Sequence, residues 1–229
     1  MSAPSAPGRP ATVLLDLDGT LVDSAPGILG SLQEAFAELD VPLPPDGLPH
    51  TLLGPPLYVT LPRLVGDDVA PALIAAYRRI YGDRGLLTCP PFAGIDALLD
   101  ALSEAGVRLA VATSKAEVYA ERIVAHRGWT EVFATVCGDT LDGQRPTKAH
   151  VVGEALRRLG DDRSGDQGPG DHGPIVMVGD RLHDVVGARE HGIDCLGVGW
   201  GYAAPGELEE AGAVAVYGQI GELQAALLG

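Results

Sequence analysis

The chain has few lysines and few cysteines, and each shortage argues against a class of protein. Only two of its 16 basic residues are lysines, Lys115 and Lys148, and 31 acidic residues leave a net charge of −15. Because phosphate contacts along DNA or RNA need clustered cations, we expect no nucleic acid polymer as a partner. Cys89, Cys137 and Cys195 are too far apart for a CxxC site or a disulfide framework, so we expect reduced thiols in a cytoplasmic protein.

Long apolar segments are also missing. There is no run of about 18 uncharged apolar residues, so we expect no membrane span and no membrane partner. Residues 1–11 lack an apolar h-region and are predicted to form a frayed arm rather than a signal peptide. The 229 residues, 46% of them hydrophobic, suit one large domain carrying a smaller one. The sequence leaves monomer and homodimer equally open.

Short apolar runs alternate with helix-like stretches, which predicts an α/β fold with a doubly wound parallel sheet. We expect strands at 12–17, 107–112, 132–137, 175–178, 195–198 and, more weakly, 213–217. We expect helices at 94–105, 116–127, 148–159, 183–191, 205–211 and 219–228. Residues 160–174, with four aspartates and five glycines, are predicted to be a solvated loop, and a calcium site there stays an alternative.

The alternation is interrupted at residues 24–90, which have no strong strand run. Helices are predicted at 26–39 and 68–82, and the seven prolines between them limit any further helix to a short one. We therefore predict a helical domain at 24–90, inserted into an α/β core domain formed by 1–23 and 91–229.

The first chemical motif is Asp16-Leu17-Asp18-Gly19-Thr20, at the end of the first strand. Residues two apart in an extended chain face the same side, so both carboxylates are expected beyond the carboxyl end of the strand, where α/β sheets bind ligands. An EF-hand does not fit, because its glycine belongs at loop position six and here it comes at position four. A solvated Asp-Gly turn is the plainer alternative.

Three further motifs follow later strands. Thr113-Ser114-Lys115 offers hydroxyls and amides to an anion, although Thr and Ser are also ordinary helix caps. Lys148 begins a helix, where a cation is unfavourable without an acidic partner or a bound anion; a solvated lysine is the alternative. Gly179-Asp180 ends another strand, with Asp184 four residues on and a helix cap as the alternative role of Asp180.

Four crowded carboxylates repel one another and raise each other's pKa, and a bound Mg²⁺ relieves this repulsion. Carboxylates, a bound Mg²⁺, a lysine and hydroxyl donors are together the groups that phosphoryl transfer requires. In this order, the four motifs resemble those of haloacid dehalogenase-like superfamily phosphatases, from Val13 to about Leu227. The insertion resembles the family's C1-type cap, which closes over the site, and Leu53–Leu57 and Gly199-Trp200-Gly201-Tyr202 resemble the phosphoglycolate phosphatase-like branch.

The resemblance implies a role for each residue. Asp16 would attack phosphorus and form an aspartyl-phosphate, and Asp18 would act as general acid and base. The implied phosphate-binding residues are Gly19, Thr20, Thr113, Ser114 and Lys148, of which Thr113 and Lys148 are also counted as catalytic. The implied Mg²⁺ site comprises Asp16, Asp18 through its backbone carbonyl, Asp180 and Asp184. Ala149 follows Lys148 where the family commonly has proline.

The expected substrate is a small phosphate ester such as phosphoglycolate. A 5′-nucleotide, pyrophosphate, a sugar phosphate and a phosphomutase reaction stay open. Asp18 argues against a dehalogenase and against a silent binding protein, and the absence of lysine from 24–90 argues against a phosphonatase. A phospho-accepting receiver module would be about half as long and uncapped. The candidate specificity residues are Gly54, Tyr58 and Arg63, with Arg78, Arg79 and Arg84 as further arginines; solvated arginines are the alternative.

Overall fold

Six strands form the centre of the fold in a computed structural model that describes residues 9–49, 52–53, 57–140, 144–161 and 173–229. They are β1 (Thr12–Leu15), β2 (Arg108–Ala116), β3 (Thr135–Asp139), β4 (Ile175–Gly179), β5 (Asp194–Val198) and β6 (Ala215–Tyr217). All neighbours pair in parallel, in the order β3-β2-β1-β4-β5-β6. The doubly wound α/β sheet predicted from the sequence is confirmed.

Apart from one short helix for which no bounds are predicted, the helices of the described residues begin and end within two residues of the predicted bounds. They are α1 (Ala25–Glu38), α2 (Leu57–Val65), α3 (Ala70–Ile80), α4 (Ile95–Glu104), α5 (Glu117–His126), α6 (Lys148–Arg158), α7 (Leu182–Arg189), α8 (Glu207–Ala211) and α9 (Ile220–Leu228). The short α2, which contains Pro62, lies in the proline-rich stretch, and a π-helical turn, Tyr81–Gly85, extends α3.

One predicted strand lies further along the chain than expected. The sequence predicts a strand at 132–137, whereas β3 spans Thr135–Asp139. The residues before it form a turn, because the Val132 amide donates to the Trp129 carbonyl at 3.0 Å. The Phe133 ring packs edge-on against Trp129, with centroids 6.3 Å apart. Apolar side chains such as Phe133 contribute to packing ahead of the strand, so the apolar run begins before β3 does.

Two compact units can be distinguished by their internal contacts. The first contains the residues up to Val22 together with Pro91–Gly229, and its core includes the fully buried Leu14 and Val152. The second is Asp23–Pro90, with its own core around Phe36, Leu61 and Leu73. Large apolar side chains buried in this way stabilise a fold by roughly 1.5–3 kcal/mol each.

The sheet order determines where a ligand site can form. From β1 the chain proceeds to β2 and β3 on one side and then crosses back to β4 on the other. The carboxyl ends of β1, β2 and β4 therefore meet at the switch point, where open α/β sheets bind ligands.

The three cysteines are buried free thiols. Among the described residues, no helix is long and apolar enough to cross a membrane.

Candidate active site

The loop after β1 places two acids at the switch point. The Asp16 amide donates to the Val178 carbonyl at 2.9 Å, which continues the β1–β4 pairing by one residue and leaves Asp16 only 7% exposed. The loop then turns sharply, with the Gly19 amide donating to the Val22 carbonyl at 2.9 Å. Gly19 has φ +85°, and a Cβ there would overlap Asp180, so both the backbone and the space require glycine.

Lys148 is buried at the start of α6 and has two acidic partners. Its Nζ lies 2.5 Å from Asp16 Oδ1 and 2.6 Å from Asp184 Oδ1. These carboxylates compensate a cation that a helix N-terminus alone would disfavour. Burial lowers the pKa of Lys148, but the two carboxylates raise it by more, so the lysine is held in its charged form.

Asp16, Asp180 and Asp184 form a buried cluster whose carboxylate oxygens lie within 4.8 Å of one another. Burial raises the pKa of Asp16 to about 6, with Lys148 opposing and Asp184 reinforcing the change. The pKa of Asp180 is raised well above its ordinary value by burial and by repulsion from Asp16 and Asp184. One ammonium group does not balance the charge of three clustered carboxylates. Carboxylate oxygens are the hard, anionic ligands that a divalent cation prefers, so the cluster fits a metal.

The two acids after β4 are held by different contacts. The N-cap of α7 is Arg181, whose amide donates to Asp184 Oδ2 at 3.0 Å. Asp180 is therefore not the helix cap. Its Oδ2 accepts from the Tyr202 amide at 2.7 Å and its Oδ1 from the Thr20 hydroxyl at 3.3 Å. These contacts fix the carboxylate of Asp180 beside Asp16.

Asp18 has a partner that the sequence analysis did not assign. Lys115 Nζ lies 2.7 Å from Asp18 Oδ2, and the lysine side chain is only 7% exposed. The other oxygen, Asp18 Oδ1, is buried without a hydrogen-bond partner among the described residues. The available signal was that Lys115 is the one lysine besides Lys148, within a motif already singled out.

The predicted hydroxyl donors beside Lys115 differ in their surroundings. Thr113 is buried, and its Oγ accepts from the Lys115 amide at 3.3 Å, in the stretch of β2 where the pairing with β3 is irregular. Ser114 is exposed. Both residues lie within β2, just past Val111, where the pairing of β2 with β1 ends, so the structure brings them to the same edge as Asp16. The sequence predicts that this strand ends at residue 112, whereas β2 continues to Ala116.

The loop after β5 supports the site from a distant part of the chain. The Trp200 indole N–H donates to the Thr20 carbonyl at 3.1 Å. A Cβ on Gly201 would overlap the Asp180 side chain and the Gly19 carbonyl. In the sequence, these residues are notable only for their resemblance to the phosphoglycolate phosphatase-like branch, which implies no role for them. The structure shows that they pack against both acidic loops.

The candidate specificity residues belong to the second unit. Tyr58, 65% exposed, and Arg63, also exposed, lie on α2, whereas Gly54 falls outside the described residues. Arg79 and Arg84 form exposed ion pairs with Glu38 and Glu34. These two arginines are therefore solvated surface residues, as the alternative interpretation expected. Most of the acidic loop at 160–174, residues 162–172, also lies outside the described part of the chain.

Comparison with known proteins gives a consistent family assignment. The family model described as haloacid dehalogenase-like hydrolase matches residues 13–198. The chain is 44% identical to "Tyrosine-protein kinase PtkA" of Mycobacterium tuberculosis over 86% of its length, but spans only 65% of that protein. It is 38% identical to a Pseudomonas aeruginosa 5′-nucleotidase, covering 87% of each chain. It is 34% identical to an Agrobacterium fabrum phosphoglycolate phosphatase, covering 82% of this chain and 80% of that one.

Among solved structures, the crystal structure of a putative phosphatase from Clostridium difficile superposes with a TM-score of 0.84 at 30% identity. The match covers 97% of this chain and 100% of the other.

Proposed function

The chain belongs to the haloacid dehalogenase-like hydrolase family, and on that premise we propose that it hydrolyses small-molecule phosphate monoesters through an aspartyl-phosphate. The observation that supports this most directly is the buried Asp16 carboxylate, held 2.5 Å from Lys148 with Asp18 two residues on. A nucleophile, a cation and an acid–base group are then present at one strand end. The phosphatase names of the 5′-nucleotidase and phosphoglycolate phosphatase relatives agree with this reaction.

In the first step, an Asp16 oxygen attacks phosphorus and forms a new O–P bond while the bond to the ester oxygen breaks. Asp18 donates its proton to that leaving oxygen, so that the alcohol departs neutral. Lys148 offsets negative charge on Asp16 and on the phosphoryl group. Thr113 of β2 contributes hydroxyl and amide donors to the phosphoryl oxygens.

In the second step, Asp18 takes a proton from a water molecule whose oxygen attacks phosphorus. The O–P bond to Asp16 breaks, which regenerates the Asp16 carboxylate and releases inorganic phosphate. Lys115, at 2.7 Å, is the electrostatic partner of the charge that the first step leaves on Asp18. We assign the metal site to Mg²⁺, which the clustered Asp16, Asp180 and Asp184 would hold together with the Asp18 carbonyl that the family resemblance implies. When bound, it would supply positive charge near the phosphoryl oxygens.

The deciding experiment is phosphate release across a panel of phosphoglycolate, 5′-nucleotides, pyrophosphate and sugar phosphates, with Mg²⁺ and with EDTA. We expect Mg²⁺-dependent turnover of at least one ester and none by Asp16→Asn. Denaturing mass spectrometry during turnover should find one phosphoryl group on the peptide containing Asp16. A panel without turnover, or full activity in Asp16→Asn, would refute the proposal.

The mycobacterial relatives named tyrosine kinases make phosphoryl transfer to protein tyrosine the second candidate. The same Asp16 would then pass the phosphoryl group to a phenol rather than to water. Incubation with ATP labelled in its γ-phosphate separates the two. Label on tyrosine, stable to treatment that hydrolyses acyl phosphates, favours the kinase, whereas label released as inorganic phosphate favours hydrolysis.

A further inference from the structure

One carboxylate outside the proposed catalytic set joins three segments around the site. Glu117 is the first residue of α5, two positions past Lys115. Its carboxylate accepts from the Gly138 amide at the end of β3 at 3.1 Å and from Arg145 at 2.6 Å. Arg158 of α6 donates to both Glu117 oxygens, at 2.9 and 3.1 Å. A single side chain thus links β2 and α5 to β3 and α6.

Both arginines belong to the segment that carries Lys148. Arg145 lies three residues before Lys148, in a loop where the Thr140 hydroxyl accepts from the Gln144 amide at 2.7 Å and the Arg145 amide at 3.3 Å. Arg158 ends α6. Glu117 therefore holds α6 at both ends, through Arg145 before the helix and through Arg158 at its last residue.

The backbone next to Glu117 is closely packed. A Cβ on Gly138 would overlap the Lys115 carbonyl and the Glu117 backbone, so β3 lies directly against the end of β2. The network is also largely shielded, since the side chains of Glu117 and Arg145 are 19% and 17% exposed. Burial raises the pKa of Glu117, but the hydrogen bonds from Arg145 and Arg158 lower it by more, so the carboxylate stays ionised.

We propose that Glu117 is a positioning residue that aligns Lys115 with Asp18 and Lys148 with Asp16. It acts through the short backbone connection to Lys115 and through the arginines that flank Lys148, and the inference rests on the hydrolysis proposed above. A displacement of about 1 Å at a reacting group can cost about 100-fold in rate. Loss of this one carboxylate should therefore impair turnover although it does not itself touch substrate.

Glu154 offers a matched control. Its hydrogen-bond partners within the described residues are Arg157, at 2.8 Å, and the same Arg158, at 2.7 Å. We expect Glu154→Gln to lose less thermal stability than Glu117→Gln, because the bonds of Glu154 lie within α6. Glu117→Gln should lower kcat about tenfold or more with KM within about twofold, while Glu154→Gln keeps kcat within about twofold. Equal losses of kcat in the two variants would overturn the proposal.

A second pair of variants separates the effect of the charge from a loss of folding. A second measurement tests the proposal without a substrate. Arg145→Gln should lower kcat and Arg145→Lys should restore part of it, because only the lysine keeps a charge opposite Glu117. Amide hydrogen exchange should quicken at residues 113–116 and 144–150 in Glu117→Gln but not in Glu154→Gln. Unchanged exchange would overturn the inference even if no substrate were found, whereas an inert wild-type protein would refute only the proposed hydrolysis.

Discussion

At the scale of the residue, Asp16 and Asp18 are neighbours in sequence with different surroundings. Asp16 is buried between Lys148 and two further acids, as a nucleophile and metal ligand would be. Asp18 is paired with Lys115 and has one buried oxygen without a partner among the described residues. The difference supports separate roles in the proposed reaction and makes those roles separable by mutation.

The role of Asp18 can be tested by the leaving group. Asp18→Asn should lower kcat/KM for an alkyl phosphate by about 10²–10⁴-fold, because the departing alkoxide loses its proton donor. The loss should be much smaller for p-nitrophenyl phosphate, whose phenolate leaves without protonation. Steady-state kinetics with both esters measures the ratio, and Asp16→Asn, which should be inactive on both, is the control. An equal loss on both esters would contradict the assignment.

At the scale of the element, four loops at one edge of the sheet depend on each other. The loop after β5 donates from Tyr202 to Asp180 and from Trp200 to Thr20, which lie after β4 and β1. The loop before α6 and the end of β2 are joined through Glu117. Each acid or lysine of the site is thus supported by an element other than its own.

Gly201 tests this mutual support. Gly201→Ala should displace Asp180, because the added Cβ would overlap the Asp180 side chain, and so weaken Mg²⁺ binding by about 10–100-fold. Gly199→Ala is the matched control in the same loop, since its Cβ would approach no closer than 3.6 Å to the Tyr217 carbonyl. Mg²⁺ titration of activity and of thermal stability gives both affinities. Similar Mg²⁺ affinity in the two variants would contradict the steric account.

The second unit supplies the prediction about specificity. We expect Tyr58 and Arg63 of α2 to contact the substrate, and replacing either by alanine should remove a contact worth about 1 kcal/mol. KM should then rise about fivefold with little change in kcat. Arg79→Ala is the control, since that arginine is paired with Glu38 in the same unit. Kinetics with the best substrate of the panel decides. If the Tyr58 and Arg63 variants have the same KM as Arg79→Ala, neither residue determines specificity.

At the scale of the whole molecule, the net charge of −15 does not conflict with a phosphate substrate. The two lysines of the chain both lie at the site, each paired with an acid of the β1 loop. The buried acid cluster calls for a further cation. The local field at the site is therefore the relevant quantity for a small anion, and the global charge bears on polyanions instead.

The acid cluster also predicts how pH affects stability without metal. The pKa of Asp16 rises from 3.8 in the unfolded chain to about 6 in the folded protein, so the folded state binds more protons between these values. Its contribution to stability is therefore full below about pH 4 and is lost as pH rises through about 6. In EDTA, Asp16→Asn should gain on the order of 1–3 kcal/mol over the wild type between about pH 4 and 7.

Denaturant unfolding of both proteins across this pH range measures the difference, in which titrating groups that do not interact with Asp16 cancel. Mg²⁺ should stabilise the wild type more at the higher pH, because the cation binds the ionised carboxylates, and should stabilise Asp16→Asn less. A constant difference between the two proteins across the range would show that burial of Asp16 does not control its ionisation.

The α/β class, most helix bounds, the acids that follow β1 and β4 and the lysine that begins α6 are predictable from the amino-acid sequence. Apolar strands, helix-like stretches and motifs such as Asp16-Leu17-Asp18-Gly19-Thr20 are local patterns, and parallel strands necessarily end at one edge. The start of β3 was misplaced because an apolar turn and an apolar strand have the same composition.

Which groups meet across that edge depends on how the elements pack in three dimensions. The pairing of Lys115 with Asp18, the Tyr202 amide bond to Asp180 and the arginines on Glu117 join residues from 22 to nearly 100 positions apart. Such contacts depend on which strands are neighbours and on how their loops pack. Hydrophobic periodicity fixes which side of an element is buried, but it does not specify the partner that a polar side chain finds.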